Sequence, residues 1–181
     1  MTTRTLARTW LACLAGCLPL LVLLLVPQLM RSRAGSEQLL ILGTGLLLVL
    51  LTVAFVLAPV MAAWSAPVGR SWEPRTALRA TALVWRLRKR AATTALVAAI
   101  AVYAAGQVVG YWIGAAVPYV SDNPEHLIDP DQPLWVIHYP AYLLQAVVLY
   151  LATTLAVAVY GWRIRALSLQ PAAATTTAPT D

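Results

Sequence analysis

The chain has 181 residues, of which 60% are hydrophobic and only 11% are charged. A water-soluble domain carries about 25% charged residues, and a small soluble fold cannot hide so much apolar surface from water. The composition therefore excludes an ordinary soluble protein. The net charge of +6 does not indicate nucleic-acid binding, because the basic residues flank apolar stretches instead of forming one solvated patch.

Four apolar stretches reach the length of about 20 residues that a transmembrane helix needs. In chain order they cover residues 10–30, 39–64, 94–116 and 140–162. The sequence thus predicts an all-α integral membrane protein with four transmembrane helices inside one domain, residues 1–168. Residues 169–181 are rich in Ala, Thr and Pro with little apolar bulk, and we expect them to form a disordered cytoplasmic tail.

The first stretch resembles a signal peptide, and Leu14 to Cys17 matches the lipobox at which bacterial lipoproteins are cleaved and acylated. We favour a signal-anchor helix, because apolar residues continue to Val26 and cleavage would remove half of a good span. Pro19 should kink this helix and free the carbonyl of Ala15. Cys13 and Cys17, one turn apart, are interpreted as small residues at a helix contact.

Basic residues set the predicted orientation. With the N-terminus inside, the outer loops hold only Arg31 and Arg33, against eleven basic residues in the cytoplasmic segments. The positive-inside rule therefore favours cytoplasmic N- and C-termini. Arginine outnumbers lysine twelve to one, a bias typical of GC-rich codons, so we expect a bacterial cytoplasmic membrane. Aromatic residues mark both interfaces: Trp10, Trp64, Tyr160 and Trp162 inside, and Tyr111, Trp112, Tyr119, Trp135, Tyr139 and Tyr142 outside.

The connection between the second and third spans predicts a helix that starts at Pro74. At 100° per residue it collects four arginines on one face, and Ala77, Ala80, Val84 and Leu87 lie roughly opposite; the arginines are Arg75, Arg79, Arg86 and Arg90. Such a helix is suited to the anionic lipid headgroups of a membrane surface. The alternative is a basic loop that only sets the orientation of the third span.

The third span contains two overlapping GxxxG motifs, formed by Gly106, Gly110 and Gly114. Glycines four apart make a flat groove on a helix, into which another helix packs closely. Ala95, Ala98 and Ala99 extend this small-residue stripe. We favour a groove that receives the chain's own helix, and a groove that receives a partner protein or a second copy is the alternative.

Two amides and two phenols are the polar groups of interest in the last two spans. If these spans pack antiparallel, Gln107 should lie near Tyr150, and Gln145 near Tyr111. Buried amides in lipid need hydrogen-bond partners. A structural hydrogen bond is the favoured interpretation, and a substrate-binding role is the alternative.

No catalytic set, metal site or cofactor site is expected. The predicted spans hold no Asp, Glu, Lys or Arg, which proton- and ion-coupled transporters usually need at mid-membrane. The acidic loop at residues 119–135 and the histidines His126 and His138 follow no defensible metal-ligand spacing. These absences favour a non-enzymatic accessory or assembly subunit of a larger membrane complex. A transporter or channel component is the alternative, and an enzyme that uses the acidic loop comes third.

Overall fold

The computed structural model describes residues 3–29, 37–65, 73–115 and 139–169, which contain six α-helices, one short 3-10 helix and no strand. The helices are α1 (Thr3–Gly16), α2 (Leu18–Leu24), α3 (Glu37–Ser65), α4 (Pro74–Leu87), α5 (Lys89–Ala115) and α6 (Tyr139–Leu169), with the 3-10 turn at Pro27–Leu29. The all-α prediction is confirmed. The acidic loop at residues 119–135 and the predicted tail beyond Leu169 lie outside the described residues.

Three helices are long and apolar enough to cross a bilayer: Glu37–Ser65, Lys89–Ala115 and Tyr142–Leu169. They contain nearly all of the second, third and fourth predicted spans. The last helix continues seven residues past the predicted end at 162. Pro140 lies in its first turn, where the missing N–H removes no intrahelical bond.

The first apolar stretch forms a broken helix. It starts at Thr3, earlier than predicted, and α1 and α2 meet at an angle of 58°. The break falls at Cys17, and Pro19 occupies the first turn of α2. The predicted proline kink is therefore confirmed, because proline cannot donate the hydrogen bond that would carry α1 through this point.

Helix α6 lies at the centre of the fold and packs against each of the other five helices, most extensively against α5. In an apolar 18-residue segment of α6, 44% of the residues are buried within the chain, compared with 22% in the corresponding segment of α5 and 11% in that of α3. The core of the protein therefore forms around α6, and α3 is the long helix with the most exposed surface.

Side-chain hydrogen bonds join α6 to both halves of the broken helix. As the position along α1 and α2 advances, the partner moves back along α6, so the two run antiparallel. The four bonds, which we call the polar ladder, run from Trp162 Nε1 to Thr5 Oγ1 (3.2 Å), from Trp10 Nε1 to Thr154 Oγ1 (3.1 Å), from the Tyr150 hydroxyl to the Leu14 carbonyl, and from the Tyr142 hydroxyl to the Leu24 carbonyl (2.6 Å).

The two tyrosines of the ladder bind carbonyls that the broken helix leaves open. Leu14 lies in the last turn of α1, and Leu24 is the last residue of α2. Carbonyls in the final turn of a helix have no intrahelical donor. Tyr150 and Tyr142 therefore stabilise the break that Pro19 creates.

Helix α3 approaches α6 through small residues. Ala54, Ala58 and Ala62 recur every four residues and are buried. A Cβ atom on Gly161 of α6 would lie only 2.5 Å from the carbonyl oxygen of Ala58. No side chain other than hydrogen fits at position 161 without moving the α3 backbone.

Helix α4 begins at Pro74, as predicted, after a cap in which the Glu73 N–H donates to Thr76 Oγ1 at 3.1 Å. It ends before Arg88, whose φ of −129° and ψ of 46° interrupt the helix. The prediction of one arc of four arginines is therefore wrong in one respect: Arg90 belongs to α5. The apolar face also differs, because Leu87 is exposed at 72%.

Candidate functional site

The glycine groove of α5 is filled by the chain's own α6. Gly106 and Gly110 are buried, and Gly114 is partly buried. A Cβ atom on Gly106 would overlap the Cβ of Ala152, and one on Gly110 would overlap a methyl group of Leu149. The surface where these helices meet, which we call the glycine seam, is therefore a packing site inside one chain. Ala95 and Ala99 are also buried on α5.

Gln145 adds one polar contact to this seam. Its Nε2 donates to the carbonyl of Gly110 at 3.0 Å, and its side chain occupies the space beside Gly114. The expected neighbour Tyr111 is instead exposed at 71%, and its ring lies edge-on to Trp112 with centroids 6.1 Å apart. The amide thus bonds to backbone next to Tyr111, because the glycines let α6 reach the main chain of α5.

The expected approach of Gln107 to Tyr150 does not produce a contact. Tyr150 lies on the face of α6 that meets α1, where its hydroxyl donates to Leu14. Gln107 lies at the depth of Leu149 and Thr153 on another side of α6. The relative depth of these residues along the antiparallel pair agrees with the prediction, whereas Gln107 and Tyr150 lie on faces that do not meet.

Gln107 lines a small cavity between α2, α3, α5 and α6. The cavity has a volume of about 130 Å³ and also contacts Tyr103, Thr153 and several leucines. Thr153 donates its hydroxyl to the Leu149 carbonyl at 2.7 Å. Gln107 is exposed, and its amide makes no hydrogen bond with another described residue, so it is free to bind something else.

Arg165 is a buried charge, although it lies beyond the predicted end of the last span at 162 and is one of the eleven basic residues of the predicted cytoplasmic segments. Its residue exposure is 3%, and its Nε and Nη1 have no acceptor within the described ranges. It follows Gly161 by four residues and Trp162 by three, so it leaves α6 between the faces that meet α3 and α1. The helix continues past 162, which carries Arg165 back into the bundle.

Three arginines of α4 form an exposed surface, which we call the basic face: Arg75, Arg79 and Arg86. Two hydrogen bonds fix this helix to α6, from Trp85 Nε1 to the Tyr160 hydroxyl at 3.0 Å and from Arg88 Nη1 to the Leu167 carbonyl at 3.2 Å. Ala77 and Val84 are buried on the opposite side. The arginines are thus presented outward from a helix that is packed on the bundle.

The two cysteines are buried on the broken helix with free thiols. Cys17 lies at the break, and Cys13 one turn before it. Among the described residues no three His, Cys, Asp or Glu side chains lie close enough to hold a metal ion. Both histidines and the acidic loop fall outside those residues.

Comparison with known proteins adds no assignment: no family model, curated protein or solved structure matches this chain.

Proposed function

We propose that this protein is a non-catalytic accessory or assembly subunit of a larger complex in a bacterial cytoplasmic membrane. It crosses the bilayer four times, with α1 and α2 together forming the first crossing, and both termini are cytoplasmic. The steady antiparallel course of the polar ladder supports one crossing, because a re-entrant loop would turn back along α6. The distribution of basic residues supports the orientation.

The observation that supports the proposal is that the small residues and hydroxyl groups of the chain contact other helices of the same chain. Gly106, Gly110 and Gly161 receive neighbouring helices, and Tyr142 and Tyr150 bind backbone carbonyls. Small residues and hydroxyl groups that are used within the chain favour a rigid packing unit, whereas a conduit needs a continuous polar path.

Helix α3 is the surface best suited to a protein partner. It is the least buried of the long helices, and a Cβ atom added to Gly45, on its exposed side, would meet no atom within 4 Å. Glycine inside a helix costs about 1 kcal/mol relative to alanine. Since nothing in the described chain uses the space at Gly45, close approach of another helix is the role that we assign to it.

Gly43 and Gly45 provide a matched test. Gly45→Leu should not lower the melting temperature in detergent, because a side chain there meets no obstruction and leucine favours the helix more than glycine does. It should reduce recovery of the chain in its native-membrane complex. Gly43→Leu should lower the melting temperature, because a side chain there would overlap the carbonyl of Leu29. Native gels and quantified subunit ratios give the readout. A wild-type chain that runs as a monomer from native membranes would refute the accessory-subunit proposal.

The orientation is tested by single cysteines placed in a Cys13→Ala/Cys17→Ala background. Ser36→Cys and Asn123→Cys should react with an impermeant reagent from outside intact cells, and Ser71→Cys only after lysis. Labelling of Ser71→Cys from outside would overturn the proposed orientation.

A transport component is the second candidate, and the cavity at Gln107 is the observation that favours it. Its polar lining consists of Gln107, Tyr103 and Thr153, and the remaining wall is leucine. In this case Gln107→Leu should abolish solute flux through the reconstituted protein and leave complex recovery unchanged. For an assembly subunit the same substitution should remove an unpaired amide from lipid and have no effect on flux.

A further inference from the structure

A second and larger pocket lies under helix α4, apart from the seams described above. It has a volume of about 500 Å³, within the range of roughly 300–1,000 Å³ typical of ligand sites. Its wall includes Phe55, Val56 and Pro59 of α3, Leu78 and Ala82 of α4, and Leu96 of α5. Val56 and Leu78 are half exposed, so the pocket opens toward the surroundings of the bundle.

The pocket presents an almost purely apolar surface, because its hydroxyl groups are already bonded within the chain. Thr52 donates to the Leu48 carbonyl and Thr81 to the Ala77 carbonyl, each at 2.8 Å. The Tyr160 hydroxyl accepts from Trp85 Nε1 at 3.0 Å. A polar metabolite would find few free partners here, whereas a hydrocarbon chain needs none.

The basic face lies along one edge of this pocket. Arg79 and Arg86 stand three residues before and four after Ala82, and Arg75 stands three before Leu78. Residues three or four apart are neighbours on a helix surface. All three arginines are exposed, and α4 itself contains no acidic residue. An apolar pocket and a positive edge are thus built into one helix.

The pocket also lies at the right depth for a lipid tail. Leu96 is seven residues into α5, which corresponds to about 10 Å at 1.5 Å per residue. The bonds from Trp85 and Arg88 to α6 hold α4 in a fixed position over this depth. The arginines therefore have a defined place relative to the pocket, which a freely moving surface helix would not give them.

We propose that this pocket binds one anionic phospholipid of the cytoplasmic leaflet. An acyl chain occupies the space beneath Leu78 and Ala82, and Arg75, Arg79 and Arg86 bind the phosphate. Phosphatidylcholine also carries a phosphate, but its ammonium group offsets that charge, so the three arginines favour a headgroup with a net negative charge. A soluble phosphate would leave the pocket unused. The choice of leaflet rests on the proposed orientation; the site itself does not.

The test uses the purified, delipidated full-length chain in detergent, titrated with phosphatidylglycerol or phosphatidylcholine and followed by native mass spectrometry. One phosphatidylglycerol should bind per chain, in preference to phosphatidylcholine. Arg79→Gln/Arg86→Gln should weaken binding roughly 30-fold, from the attraction of two arginines for an anionic headgroup. Arg4→Gln/Arg8→Gln removes the same charge from exposed positions on α1 and should have little effect.

Ala82→Trp tests the tail, because it fills the pocket and keeps every arginine. It should reduce phosphatidylglycerol binding, whereas Ala104→Trp, at an exposed position of α5, should not. Unchanged binding by Ala82→Trp would overturn the proposal in favour of headgroup attraction alone. Equal binding of phosphatidylcholine, or equally tight binding of glycerol phosphate, would also overturn it. Because detergent removes both orientation and partners from the measurement, these results are independent of the assembly proposal.

Discussion

The glycine seam joins α5 to α6, and the polar ladder joins the broken helix, α1 and α2, to α6. The two contacts are stabilised by different interactions. Along the seam, α5 has no side chain at Gly106 and Gly110, so α6 packs against its backbone. Along the ladder, hydroxyl and indole groups reach across to a helix that is broken at Cys17. Apolar surface alone gives little driving force between helices in lipid. Close packing suits a regular helix, and polar contacts suit one whose carbonyls are open.

The largest expected effect comes from adding a side chain where α5 and α6 approach most closely along the glycine seam. Gly106→Leu should destabilise the bundle by about 1–3 kcal/mol, as for overpacking in a core, because the Cβ of Ala152 cannot move away. Gly110→Leu should be milder, since it meets the flexible end of Leu149. Melting in detergent measures both, with Gly45→Leu as the unobstructed control.

A reciprocal exchange checks that Ala152 is the cause. Gly106→Ala alone should lower the melting temperature, and Gly106→Ala combined with Ala152→Gly should recover part of the loss. If the double variant is as unstable as Gly106→Ala, the loss of stability does not come from overlap between residues 106 and 152.

An intermediate effect is expected from the ladder. Tyr150→Phe leaves the Leu14 carbonyl without its donor and should cost about 0.6 kcal/mol, and at most about 1.7, the range for hydrogen bonds between membrane helices. Tyr142→Phe should behave similarly at Leu24. Tyr111→Phe is the control, because its ring is exposed. Equal stability of all three variants in reversible unfolding would mean that the break needs no donor.

The smallest effect is expected from removing the one side-chain hydrogen bond described within the glycine seam. Gln145→Leu removes the bond to the Gly110 carbonyl. That carbonyl lies inside α5 and keeps its intrahelical donor, so no orphan group remains. The free energy of unfolding should change by less than in Tyr150→Phe. A larger loss would show that the seam depends on its amide as much as on its glycines.

The seam could be found in the sequence because glycine spacing is a local signal on one helix. The ladder could not, because the same residue types have two uses in membrane proteins. Trp64, Tyr111 and Trp112 are exposed, as expected of interfacial belts. Tyr142, Tyr150 and Tyr160 are buried and bonded to other helices. Which use applies depends on the face that each helix turns to its neighbour, and hydropathy does not encode that rotation.

The ends of the helices were predicted incorrectly for a related reason. The hydropathy of the sequence falls where charged residues begin, so the last span was predicted to end at 162 and Arg165 was counted among the cytoplasmic basic residues. The helix continues to Leu169 because backbone hydrogen bonding does not depend on polarity, and the rotation past Gly161 then buries Arg165. In the opposite direction, the break at Arg88 divides a run of arginines that periodicity treated as one helix.

The central position of α6 has a consequence for biosynthesis. The helix that every other one packs against is translated after all of them, and 136 residues separate Leu14 from the tyrosine that binds its carbonyl. At about 5–20 residues per second, α1 waits about 7–27 s before that donor emerges. During this interval the open carbonyls and the empty glycine groove are available to the insertion machinery or to a chaperone, so ribosome-bound chains arrested before α6 should be the form that such factors hold.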